Sequence, residues 1–116
     1  MKQLINSFFH AIKGILASFR EQRNLKVQSI IALITIGAGF YFSITAIEWV
    51  LILMTIGLVI GLEMMNTAVE DLVDLVTSEW KPLAGRVKDV AAGAVLFASI
   101  VAVIVGIIIF RKYCFS

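Results

Sequence analysis

The sequence predicts an all-α membrane protein, with an N-terminal amphipathic surface helix followed by three transmembrane helices. Three observations carry that prediction. Of the 116 residues, 60% are hydrophobic and only 16% charged, with a mean hydropathy of +0.99. That is more apolar surface than so small a globule can bury. Segments 27–47 and 90–110 each run 21 residues without a charge, enough to cross the roughly 30 Å hydrocarbon core of a bilayer. A third apolar run, 49–62, passes straight into the polar sequence GLEMMNTAVEDLVD at 61–74.

Residues 1–24 are not a span. Leu4, Ile5, Phe8, Phe9, Ile12, Ile15, Leu16 and Phe19 recur at three- and four-residue steps, while Lys2, Gln3, Asn6, His10, Lys13 and Arg20 take most of the remaining surface. That is an amphipathic helix, and its basic side suits an anionic inner leaflet. Packing against protein is the other reading, and both hold if the helix covers one end of the bundle. His10 reads as an interfacial polar residue. A signal peptide is not expected, because the first long apolar run starts only at residue 27 and lacks a small-residue cleavage site.

The spans are expected at about 27–47, 49–69 and 90–110. Between the second and third, TSEWKPLAGRVKD (77–89) holds Gly85 and the only proline, Pro82, which mark a turn. Asp89 suits the positive N-terminal end of the helix it opens. The small residues AAGA (91–94) and Ser99 allow close helix contact. With no internal repeat or linker, 1–116 reads as a single domain. Cys114 is the only cysteine, so neither an internal disulfide nor a cysteine metal motif is available.

The ten basic residues set the orientation. Lys2, Lys13, Arg20, Arg23 and Lys26 precede the first span, Lys81, Arg86 and Lys88 lie between the second and third, and Arg111 and Lys112 follow the last. The positive-inside rule places the N-terminus and the 77–89 loop in the cytoplasm of a multi-pass membrane protein.

The acids in the second span carry the chemical question. With each residue advancing about 100°, Asn66, Glu70 and Asp74 fall close to the direction of Glu63, and the four make one polar stripe about three turns long. Ionisable groups at membrane depth are costly and face a bundle interior or a wet cavity. Glu63 lies near the membrane boundary on the cytoplasmic side, a place that suits a general base working at a lipid headgroup. Glu70, two turns nearer water, is a natural oxygen ligand for Mg²⁺, and Lys88 can offset phosphate charge nearby. An interhelical polar patch that only fixes packing is the competing reading. No Walker-type loop or protein-kinase motif set occurs, and the basic residues lack a nucleic-acid recognition module. A proton-coupled conduction path is disfavoured, since the first and third spans hold no ionisable residue.

EMMNTAVEDLVD (63–74) followed some fourteen residues later by KDVAAGAV (88–95) resembles the motif of the prokaryotic diacylglycerol kinase family, and the resemblance extends over essentially the whole chain. The AAGAV form and IEWV at 47–50 look more like its undecaprenol-kinase branch. The resemblance implies a homotrimeric integral-membrane kinase that moves the γ-phosphate of Mg·ATP to a lipid alcohol. Undecaprenol is the expected acceptor, diacylglycerol the alternative, and a non-catalytic membrane interaction protein of the same fold the remaining option. By this likeness Glu63 is the general base and Asn66 positions the reacting groups. Glu70 binds the metal that bridges the ATP phosphates, Lys88 and Asp89 contact the nucleotide, and Glu79, Trp80 and Lys81 border its pocket.

One position departs from the family pattern. A second metal-binding Glu is expected just before the first span, in a segment like E-R-N. Counted from Gly14, that position is Gln22 within REQRN (20–24), and the acid is Glu21, one residue early. On a continuous helix that step turns the side chain by about 100°, so either Gln22 or Glu21 is the expected second ligand. The family's N-terminal arginine and nucleotide-lining aromatic are also not evident, with Gln3 and His10 nearest in position.

Overall fold

The structure, a computed structural model, describes residues 1–115. It consists of four helices: α1 (Lys2–Glu21), α2 (Arg23–Phe42), α3 (Ala46–Val76) and α4 (Pro82–Cys114). The last three are each long and apolar enough to cross a membrane.

α1 buries none of its residues; Leu4, Phe8 and Leu16 stand exposed. It does not flow into α2. Gln22 adopts an extended conformation (φ −98°, ψ 115°), and its N–H donates to Ser18 O, which closes α1. α2 then opens at Arg23 and buries Leu25, Ala32 and Gly39.

α2 ends at Phe42, although the uncharged run continues to residue 47. Ser43 adopts the left-handed conformation (φ 52°, ψ 55°), and Thr45 caps α3 through a capping box with Glu48: the Glu48 N–H donates to Thr45 Oγ1 (3.2 Å) and the Thr45 N–H to Glu48 Oε1 (2.9 Å). The turn is itself apolar, since Ile44 is buried, so hydropathy does not register it. The sequence signal was T-x-x-E.

α3 and α4 form the principal packed pair, with α2 laid against α3 and α1 touching α2 and α3. Their 31 and 33 residues make rods about 46 and 50 Å long at 1.5 Å per residue, so each outreaches the hydrocarbon core. Pro82 occupies the first turn of α4, where its missing N–H costs nothing.

The hydrophobic core sits at the α2–α3 turn, the end remote from the acidic stripe. Ile44, Ile52 and Ile109 are its buried centre, flanked by Phe42, Trp49, Phe110 and Tyr113. Gly39 is required here: a Cβ at that position would lie 2.7 Å from the Trp49 ring. The same end is tied by polar groups, as Tyr113 donates a hydrogen bond to Glu48 and Lys112 pairs with the same carboxylate. Elsewhere the helix faces are open. The chain measures 54 × 42 × 20 Å, a slab about two helix diameters thick, whose outward apolar residues suit lipid or other helices.

Candidate active site

Glu63 and Asn66 are buried, with 4% and 9% of their surface exposed, so their polar groups need partners inside the protein. α2 supplies one: Gln28 Nε2 donates to Glu63 Oε2 at 3.4 Å. One turn further along α3, Asn66 Nδ2 donates to Glu70 Oε1 at 3.3 Å, the i, i+4 pairing that a helix favours. Thr67 Oγ1 donates to the Glu63 carbonyl at 3.1 Å. Two oxygens at this site, Gln28 Oε1 and Asn66 Oδ1, are buried without a partner. Buried polar atoms are rarely left unpaired, and both can accept from a bound group.

The polar stripe is therefore real but not uniform. Glu63 and Asn66 are enclosed within one chain, Glu70 is half-buried and Asp74 is exposed. Asp74 reaches across to α4, where its Oδ1 pairs with Lys88 Nζ at 2.7 Å. That pair joins the stripe to a second feature, a polar cleft of about 300 Å³ at the α3–α4 connection. Glu79, Trp80, Lys88 and Asp89 line it with Asp74 and Gly85. Within the loop, Thr77 Oγ1 accepts from the Glu79 N–H at 3.2 Å and orders the turn. Trp80 is exposed, with its indole Nε1 beside Gly85.

Of the residues expected from the sequence, Glu63, Asn66 and Glu70 stand together on α3, and Glu79, Trp80, Lys88 and Asp89 stand together around the loop cleft. Lys81 caps α4 without lining the cleft. Glu21 is exposed at the end of α1 and Gln22 is half-buried at the break. Among the described residues no hydrogen bond or ion pair joins either of them to α3. Contrary to the expectation of a continuous helix, Gln22 lies outside both α1 and α2, so a 100° step does not relate it to Glu21.

Gln28 was missed. Its signal was present: it is the only amide inside the uncharged segment 27–47, and a buried amide needs a polar partner.

The oxygen set fits a hard divalent cation. Glu70 presents a carboxylate and Asn66 a free buried oxygen one turn away. No group of three or more His, Cys, Asp or Glu converges among the described residues. One carboxylate and one amide oxygen would hold such a cation only together with ligands from outside the chain, such as phosphate oxygens or water.

The bundle and its acid–amide pair define a polytopic membrane protein with a polar site at one end of its helices. The profile of prokaryotic diacylglycerol kinase matches residues 9–110, and the chain belongs to that family. It is a lipid kinase, and a kinase of this family takes its phosphoryl group from ATP. The chain is 38% identical over 110 residues to the undecaprenol kinase of Bacillus subtilis (strain 168), covering 95% of this chain and 89% of that one. It is 40% identical over 104 residues to the diacylglycerol kinase of Synechocystis sp., covering 89% of this chain but 59% of that protein. Against the diacylglycerol kinase of Haemophilus influenzae the identity is 33% over 111 residues, with 95% and 94% covered.

Proposed function

We infer that the chain phosphorylates undecaprenol at the cytoplasmic face of the bacterial inner membrane, using Mg·ATP. The observation that carries this reading is the buried Glu63, held by Gln28 and followed one turn later by the Asn66–Glu70 pair. A carboxylate in that position takes the proton from a lipid hydroxyl as its oxygen attacks the γ-phosphorus, and ADP leaves from the opposite side. Asn66 orients the attacking and transferring groups. Lys88 shifts from Asp74 to the phosphates, offsetting their charge, and Asp89, Glu79 and Trp80 border the nucleotide in the loop cleft. Glu70, with Gln22 or Glu21 as second ligand, would hold the metal. A metal held there would neutralise charge on the phosphates and help to align them.

Undecaprenol is favoured by the Bacillus subtilis relative and by the AAGAV and IEWV segments. Diacylglycerol is the second reading, supported by the Synechocystis and Haemophilus influenzae relatives. The N-terminus and the 77–89 loop face the cytoplasm by the distribution of Lys and Arg, with α1 lying along the inner leaflet. The broad apolar faces left by a slab-like chain support assembly into a homotrimer.

The deciding assay incubates detergent-solubilised protein with radiolabelled ATP and each lipid in turn. Preferential labelling of undecaprenol supports the reading. Labelling of diacylglycerol alone selects the second.

A further inference from the structure

Asp74 is the outermost member of the polar stripe on α3 and, unlike Glu63, Asn66 and Glu70, has no part of its own in the transfer. Its Oδ1 accepts a hydrogen bond from Lys88 Nζ at 2.7 Å, and both residues line the loop cleft. Glu79 and Asp89 line it too, so Lys88 is the only cation among the lining residues. Among the described residues Lys88 forms an ion pair with Asp74 and with neither of those other acids. The one positive charge that the cleft offers to an anionic ligand is thus already taken, by one specific carboxylate.

Strength and reach decide what such a pair does. With side chains 38% and 63% exposed, it is worth about fivefold at most in an equilibrium constant. A polyphosphate presents several charged oxygens, and an ammonium bonds to it more strongly, so it draws Lys88 away from Asp74. Glu70 lies four residues from Asp74 along α3, about 6 Å on the helix axis. That distance is within the swing of a lysine on its flexible four-carbon stem. Lys88 can therefore serve Asp74 or phosphates held beside Glu70 without a movement of the backbone.

We propose that Asp74 is a positioning residue that competes with the nucleotide for Lys88. It holds the ammonium in the empty site, yields it to the phosphates and takes it back as they leave. The proposal rests on the reading of the loop cleft as the nucleotide site. Its consequence is an affinity for nucleotide below what the same cleft would give without Asp74, and so an easier release of ADP.

The sign of one effect tests the competition. Asp74→Asn keeps the size of the side chain and removes its charge. The full-length protein is titrated by calorimetry in mild detergent with the Mg²⁺ complex of a non-hydrolysable ATP analogue. Salt is held at about 0.15 M, where exposed charges are screened beyond roughly 8 Å. The dissociation constant of Asp74→Asn is expected to fall about threefold to fivefold, a gain that damage to the fold does not produce. Asp74→Glu restores the competing charge and is expected to bind as the wild type does. In a Lys88→Met background the gain from Asp74→Asn is expected to vanish, because the cation competed for is gone.

An unchanged or weaker affinity in Asp74→Asn overturns the proposal, the weaker one by showing that Asp74 holds Lys88 in place for the phosphates. An equal gain in both backgrounds also overturns it, since plain repulsion between Asp74 and the nucleotide then accounts for the effect. Lys88→Met alone checks the underlying reading. Weaker binding of the analogue supports it, whereas binding equal to that of the wild type removes Lys88 from the nucleotide site and takes the proposal with it.

Discussion

Gln28 on α2 and Glu63 on α3 lie 35 residues apart in the chain and meet through a hydrogen bond from Nε2 to Oε2 at 3.4 Å. The contact ties the carboxylate to the neighbouring helix, but it is longer than the usual N–H···O range of about 2.7–3.2 Å and therefore weak. Gln28→Leu is therefore expected to lower turnover by about threefold to tenfold, the worth of one modest hydrogen bond. Gln28→Glu is expected to lower it further, by setting a like charge beside the base. Steady-state rates at saturating ATP measure both, and KM for ATP serves as the unchanged reference.

Glu63→Gln keeps size and burial but removes proton acceptance. Turnover is expected to fall by about two to four orders of magnitude, the usual contribution of general base catalysis. Nucleotide binding, followed by equilibrium titration, should hardly change, since the loop cleft lies about three turns or more away along α3. A variant that keeps more than about half of the wild-type rate removes Glu63 from the mechanism.

The break at Gln22 sharpens the question of the second metal ligand. Gln22 is half-buried where Glu21 is exposed, which favours the amide position. Gln22→Glu is then expected to lower the Mg²⁺ concentration for half-maximal activity, because a carboxylate is the stronger hard-oxygen ligand. Glu21→Ala is expected to be nearly silent. The opposite pair of results in the Mg²⁺ titrations assigns the site to Glu21. No effect from either leaves the metal to Glu70 without the N-terminal segment.

Lys88 and Asp74 separate binding from stability. Their ion pair is short, at 2.7 Å, but both side chains are substantially exposed, at 38% and 63%, and exposed pairs add little stability. Asp74→Ala is expected to move the unfolding midpoint by less than about 2 °C. Lys88→Ala is expected to raise KM for ATP about tenfold, through lost phosphate neutralisation. Melting curves and initial-rate kinetics on the two variants give the comparison.

The helices were legible because bilayer-length apolar runs and one strong turn signal, Pro82 with Gly85, leave few alternatives. The acidic stripe was legible because helical periodicity alone puts Glu63, Asn66 and Glu70 on one line. What escaped were features that depend on which helices touch. Gln28 is polar in an apolar run, yet only the packing of α2 on α3 makes it a partner of Glu63. The α2–α3 turn hides among apolar residues, since Ile44 packs inward and the run to residue 47 carries no charge. The irregular Gln22 sits between two strong helix patterns, and neither Gly nor Pro marks it. Enclosure of Glu63 within one chain was also invisible, because lone periodicity shows a face but not its cover.

Thr45, Glu48, Tyr113 and Lys112 fasten α3 to α4 beside the aromatic core, while the acids and the loop cleft lie at the other end. At that end the two rods are joined again, by the connection 77–81 and the Asp74–Lys88 pair. α3 and α4 therefore make a closed frame, clasped at both corners, and neither rod can swing away from the other. The loop cleft is a notch cut into one corner of that frame, so its width follows the shape of the connection and not the angle between the rods.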